Sequence, residues 1–169
     1  MITQVKIYRA STYLVLPIYF LPKANISFTF GTIFIYNSLA RDTLEIRLVR
    51  LTESPVPDTR ISLELRHASI DDGNYSALSY VWGDMGNPVE ISVNAALFLI
   101  GKNLYLGLKQ LRDNDMCDWI WVDSLCIQQT DVEEKSHQVG LMRTIFSRAD
   151  RVYSWLRQGF LSTDTAMDF

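Results

Sequence analysis

Histidine and cysteine are scarce: the 169 residues hold 2 His and 2 Cys. Cys117 and Cys126 form no Cys-x-x-Cys pair. That excludes a standard zinc site and a disulfide framework, and leaves reduced thiols as the expectation. Positive charge is not in surplus either. The 16 Lys and Arg are scattered among 19 Asp and Glu, for a net charge of −3. A phosphate-backbone interface needs clustered cations, so no nucleic acid is expected as a partner. No glycine-rich loop of the GxGxxG or GxxxxGK[ST] type occurs, which removes the usual dinucleotide and P-loop fingerprints. Long apolar runs are also missing. Tyr13–Leu21 is interrupted by Pro17 and closed by Pro22, and Ile26–Tyr36 follows. Neither run reaches the roughly 18–20 residues that span a bilayer, so no membrane association is expected. Lys6 and Arg9 imitate the start of a signal peptide, but no small-residue cleavage site follows. There is no internal repeat.

What is present is globular composition, 48% hydrophobic and 21% charged, in a chain long enough for one domain. Residues 1–35 differ in character from the rest and are expected to be an apolar extension outside the fold, with the domain proper at 36–169. Leu44–Leu51 alternates apolar and polar residues, as a half-buried strand does, and Ile61–Leu65 alternates again. Asp71-Asp72-Gly73-Asn74 marks a turn, and Tyr75–Trp82 reads as a buried strand. Val89–Val93 and Ala96–Ile100 suit a hairpin about Asn94-Ala95, and Leu104, Leu108 and Leu111 mark one face of a helix. Trp119–Val122 is a continuous apolar run, as in a strand covered on both faces. A helix starts at Thr130-Asp131 and a last strand covers Arg151–Leu156. This succession predicts an α/β fold: a mixed, partly parallel sheet with flanking helices and an added β-hairpin. A further helix is expected after the last strand, so the domain is expected to be incomplete on its carboxyl side.

Chemistry is expected beyond the carboxyl ends of the parallel strands, where open α/β sheets bind ligands. Two strands end alike, one in Trp82-Gly83-Asp84 and one in Asp123. If they are parallel neighbours, two carboxylates meet at one sheet edge, with Trp82 placed to stack on a ring. Thr130-Asp131-Val132-Glu133 has capping-box spacing. At 100° per residue, Val132, Val139, Met142, Phe146 and Ala149 form the buried face of the following helix. Glu133 and His137 then face solvent, while Glu134 and Gln138 lie at the margin. A carboxylate at that margin is the candidate for acid–base or transition-state work, so Glu134 is the candidate catalytic residue. Trp82, Gly83, Asp84, Asp123, Gln129 and Gln138 are the candidate ligand-binding residues, and no metal ligands emerge. A Cys126–His137 nucleophile is the weaker alternative, because buried free cysteine ordinarily acts as a small hydrophobe.

Several blocks in fixed order closely resemble the fungal heterokaryon-incompatibility (HET) domain over roughly residues 36–156. They are Tyr75–Asp84, Asn103-Leu104, Leu111-Arg112, Trp119–Gln129, Glu134-Lys135, Gln138-Val139, Met142 and Trp155-Leu156. Gln128, Lys135 and Arg157-Gln158 depart from the usual pattern. The resemblance implies a cytoplasmic effector of non-self recognition that triggers cell death. Its implied partners are other incompatibility or NLR-type signalling proteins, or further copies of itself. The family has also been likened to TIR domains, with a TIR-like or flavodoxin-like sandwich. That likeness implies no required cofactor, but NAD as a substrate for hydrolysis with Glu134 stabilising the transition state. A truncated, inactive fragment is the remaining alternative.

Overall fold

The apolar segments condense into one eight-stranded sheet among the residues that the computed structural model describes, 6–8, 32–40, 42–52, 60–116 and 118–156. The strands are β1 (Lys6–Tyr8), β2 (Glu45–Thr52), β3 (Ser62–Ser69), β4 (Ser76–Tyr80), β5 (Val89–Val93), β6 (Ala96–Ile100), β7 (Ile120–Trp121) and β8 (Arg151–Trp155). The helices are α1 (Lys102–Asp113), α2 (Asp123–Cys126) and α3 (Val132–Arg148). The run Tyr13–Leu21, Cys117 and everything after Leu156 lie outside the described residues, as does most of Ile26–Tyr36.

Strand order is β1-β8-β4-β7-β2-β3-β5-β6. β8, β4 and β7 run parallel to one another, β3 and β5 are also parallel, and the remaining neighbours are antiparallel. The expected mixed, partly parallel α/β sheet with its added hairpin is therefore what the chain forms. β5 and β6 pair from Val89 opposite Ile100 to Val93 opposite Ala96. Asn94 and Ala95 both take positive φ (49° and 64°), as a tight two-residue hairpin turn of the primed kind requires. Short parallel strands need long crossovers. β4 reaches β7 through the hairpin and α1, and β7 reaches β8 through α2 and α3.

α1 buries Leu104, Leu108 and Leu111 at the expected spacing. Gly107 lets the helix close on the sheet: a Cβ there would lie 3.2 Å from the Trp155 ring. Asp131 caps α3, its Oδ1 accepting from the amides of Glu133 and Glu134 at 3.0 Å each. A side-chain cap of this kind contributes about 1 kcal/mol. The last residues of α3 pack under the sheet, with Phe146 edge-on to Trp121 at 5.5 Å between centroids.

Two expectations from periodicity fail, for one reason. β2 is not half-buried: Ile46, Arg47, Leu48 and Val49 are all covered, and Arg47 has no exposed surface. In α3 Ala149 at its end is buried and Met142 and Phe146 pack against the core as expected, but the fully buried helical residues are Glu134, Gln138 and Ile145, while Val132 is 78% exposed. Hydrophobic periodicity assumes that polar side chains seek water. Here Arg47 and Glu134 seek each other, and that pairing turns α3 until its polar margin faces the sheet.

The turn after β4 depends on Gly83, whose φ is +73°. Asn103 of α1 donates from Nδ2 to the Val81 carbonyl and accepts from Trp155 Nε1 at 3.0 Å, tying this turn to β8. Gly83→Ala is expected to cost about 1–2 kcal/mol in urea unfolding, because an L side chain is strained at that φ. Gly140→Ala, in the exposed middle of α3 with open space for a Cβ, is expected to gain about 0.5–1 kcal/mol in the same measurement.

Candidate functional site

The candidate residues fall into two clusters. The first lies beyond the carboxyl ends of β4 and β7, which are parallel neighbours with Ser76 opposite Ile120 and Ala77 opposite Trp121. Trp82, two residues past β4, donates from Nε1 to Asp123 Oδ2 at 2.7 Å. The other Asp123 oxygen accepts the Ser124 amide at 2.7 Å, at the start of α2. Gln129 Nε2 donates to the Asp123 carbonyl at 3.0 Å. Trp82, Asp123 and Gln129 are thus brought together, with Gly83 providing the turn behind them. Asp84 is not. Its carboxylate accepts the Gly86 amide at 2.8 Å across an exposed turn, so the two strand-end carboxylates do not form a pair. The left-handed turn at Gly83 carries Asp84 away.

Trp82 and Gln129 line a pocket enclosing about 660 Å³ of empty space, open mouth included. The rings of Tyr36, Tyr80 and Phe98 form further walls, and Met85 and Ile100 add apolar surface. Ser124, Gln129 and Thr130 supply polar groups. The walls are held from behind. Tyr80 donates to Ser124 Oγ at 2.6 Å, and Tyr36 donates to the Leu125 carbonyl at 2.9 Å. Tyr36 and Phe98 meet edge to face at 6.1 Å between centroids. Burial pushes the Tyr36 and Tyr80 hydroxyls well above the ordinary tyrosine range, so both stay protonated and keep donating. Burial also raises the Asp123 carboxyl to about 6, against the opposing hydrogen bonds from Trp82 and Ser124.

The second cluster is a buried ion pair. Arg47 grips Glu134 with both terminal nitrogens, at 2.6 and 2.9 Å. The same two nitrogens also reach the Cys126 carbonyl at 3.0 Å and the Asn37 carbonyl at 2.5 Å, while Nε is buried without a hydrogen-bond partner. The guanidinium also lies 4.7 Å from the centroid of the Tyr36 ring, within cation–π range. Glu134 Oε1 additionally accepts the Gln128 amide at 2.7 Å. Burial pushes the Glu134 carboxyl up, but the Arg47 hydrogen bonds, the Gln128 amide and the Arg47 charge outweigh it and hold it below the ordinary carboxylate range. Gln138, one turn on, donates to the Glu45 carbonyl at 2.9 Å. Glu134 and Gln138 therefore share a buried polar layer. Neither is among the residues that line the aromatic pocket.

Cys126 is fully buried, its sulfur accepts the Val122 amide at 3.3 Å, and burial raises its thiol to about 12. A protonated, enclosed thiol is inert, and His137 makes no hydrogen bond to it. Sequence reasoning missed Arg47, Tyr36, Tyr80, Phe98 and Ser124. The usable signal for Arg47 was a glutamate on the edge of an apolar helix face, which needs a cation to enter the core.

The chain matches the model of a family described as heterokaryon incompatibility protein (HET) over residues 75–168. It is 34% identical, over 154 residues and 82% of its length, to heterokaryon incompatibility protein 6, OR allele, of Neurospora crassa. It spans 23% of that relative's length. No solved structure matches.

The raised Asp123 value gives a pH signature. In the folded state the carboxyl holds its proton up to about pH 6, whereas unfolded aspartate releases it near about 3.9. The group therefore costs no stability below about pH 4, costs progressively more as pH rises toward about 6, and a constant amount above that. The Trp82 indole N–H resonance is expected to titrate with a midpoint of about 6. In Asp123→Asn that titration is expected to vanish.

Proposed function

This chain belongs to the heterokaryon-incompatibility (HET) family, and we propose that it serves in fungal heterokaryon incompatibility by recognising a small molecule in the aromatic pocket. The observation that carries the reading is the placement of that pocket. It opens beyond two parallel neighbouring strands, where α/β sheets bind ligands, and its Trp82, Ser124 and Gln129 lie within the residues that match the family. The name of the Neurospora crassa relative supports incompatibility as the biological setting. Recognition inside the cell is then coupled to growth arrest or cell death, through other incompatibility or NLR-type proteins or through self-association.

Hydrolysis of NAD through Glu134 is not part of this reading. A bidentate arginine and a backbone amide already engage its two oxygens. An acid–base or transition-state role needs an oxygen free to meet the substrate. The proposed work of Glu134 is to hold the core. Among the described residues no helix is long and apolar enough to cross a membrane.

The test is expression in a fungal host, scored for growth arrest. Thr130 lines the pocket and is exposed, so Thr130→Trp obstructs the pocket at little cost to folding. The wild-type chain is expected to arrest growth, Thr130→Trp to lose that effect at equal protein level, and Lys109→Ala, on an exposed face of α1, to retain it. Growth arrest by Thr130→Trp equal to wild type contradicts the proposal, as does a wild-type chain without effect.

A further inference from the structure

Resting on the reading of this pocket as the functional site, we propose that its occupant is an uncharged, planar nitrogen heterocycle carrying an amino or amide group, bound through its ring and not through phosphate. Three features of the pocket carry the inference.

The walls are rings whose polar ends are already engaged. The Trp82 indole is pinned by Asp123, the Tyr80 hydroxyl by Ser124 and the Tyr36 hydroxyl by the Leu125 carbonyl. What they offer an occupant is π-surface in fixed orientation, with Phe98 and Met85 beside them. Fixed aromatic walls suit a flat ring, and their prior anchoring removes most of the ordering cost of binding it.

The lining is uncharged. Among the described residues no Lys, Arg, Asp or Glu side chain lines the pocket. Arg47, whose guanidinium lies against the Tyr36 wall, is neutralised by Glu134. The amino end of α1 is crowded as well. A Cβ on Gly101 would lie 2.9 Å from the Met85 sulfur, 3.3 Å from the Trp82 carbonyl and 3.8 Å from the Asp84 carbonyl. Two carbonyl oxygens at that end oppose a phosphate. The Asp123 carboxylate behind the indole opposes one further above about pH 6.

The polar groups suit an amino or amide substituent. Gln129 spends its NH₂ on the Asp123 carbonyl, and its Oε1 is buried with no hydrogen-bond partner. A desolvated, unpaired amide oxygen gains most from a donor, which an amino group supplies. Ser124 Oγ accepts from Tyr80, so its own hydrogen is free to donate to a ring nitrogen or carbonyl. One acceptor and one donor on two residues of the lining, linked through the Asp123 carbonyl that precedes Ser124, match an aminoheterocycle or a ring carboxamide. They do not match a purely apolar ring.

The experiment is calorimetric titration of the purified chain with adenine, adenosine 5′-monophosphate and 1-methylindole, a ring of similar size with no hydrogen-bond donor. Adenine is expected to bind saturably, with a Kd of roughly millimolar or tighter for so small a ligand. The monophosphate is expected to bind no tighter than adenine. Gln129→Leu is expected to weaken adenine by about tenfold or more, the scale of one lost buried hydrogen bond, while leaving 1-methylindole unchanged. Thermal unfolding of the variant checks that it is folded, and Thr130→Trp is expected to abolish both ligands. Three results overturn the proposal: no saturable binding of adenine, monophosphate binding about tenfold or more tighter than adenine, or equal effects of Gln129→Leu on adenine and 1-methylindole. The growth-arrest assay separates this failure from that of the underlying reading. If Thr130→Trp abolishes arrest but adenine does not bind, the ligand class is wrong and the pocket reading stands. If adenine binds as expected but Thr130→Trp still arrests growth, the pocket reading falls and the binding chemistry stands.

Discussion

The ion pair between Arg47 and Glu134 is the constraint around which the rest of the structure is arranged. Arg47 projects from β2, near the middle of the sheet, and Glu134 sits in the first turn of α3. The guanidinium also binds the Cys126 carbonyl at the end of α2 and the Asn37 carbonyl of the segment before β2. Glu134 in turn holds the Gln128 amide in the loop between α2 and α3. Five pieces of chain meet on two side chains. Burying two charges is expensive, and a well-packed apolar pair of the same volume is often as stable or more so. What the pair contributes is direction: it fixes which face of α3 meets the sheet and where the α2–α3 loop lies.

The aromatic pocket depends on that arrangement. Tyr36, one of its walls, lies against the Arg47 guanidinium and bonds to the Leu125 carbonyl next to Cys126. Gln129 and Thr130, two of its polar residues, directly follow the Gln128 that Glu134 anchors. Ser124 lies in α2, whose last carbonyl Arg47 holds. Glu134, the candidate for acid–base chemistry, thus engages Arg47, and Asp123, a candidate ligand-binding residue, engages the Trp82 indole. Chemistry at this edge of the sheet rests on ring surface and a few amide and hydroxyl groups. That is the equipment the proposed recognition role calls for.

Much of this was legible in the residues. The hairpin at Asn94-Ala95, the cap at Asp131 and the buried face of α1 all follow from local pattern. Local pattern suffices there because each feature is decided within a turn or a strand. Arg47 was not legible, because alternation assigns an arginine between two apolar residues to the solvent face. Only its partner, 87 positions away, reverses that assignment. The same long-range pairing displaced the buried face of α3, so Val132 is out and Gln138 is in. Tyr36 and Phe98 carry no spacing signal for a shared pocket. They meet only because residues 32–34 add to β6, with the Leu97 amide bonding to the Thr32 carbonyl and the Phe34 amide to the Leu97 carbonyl. Asp84 was misplaced for a smaller reason, the single positive φ at Gly83.

The most direct test of this account is a double-mutant cycle on the ion pair, read by urea unfolding of Arg47→Met, Glu134→Leu and the double variant. Each single change strands a buried charge and is predicted to cost about 3–5 kcal/mol. The double variant, which removes both charges, is predicted to recover most of that loss, giving a coupling of about 3 kcal/mol or more. Single losses that simply add, with a coupling below about 0.5 kcal/mol, would contradict the claim that this pair organises the fold.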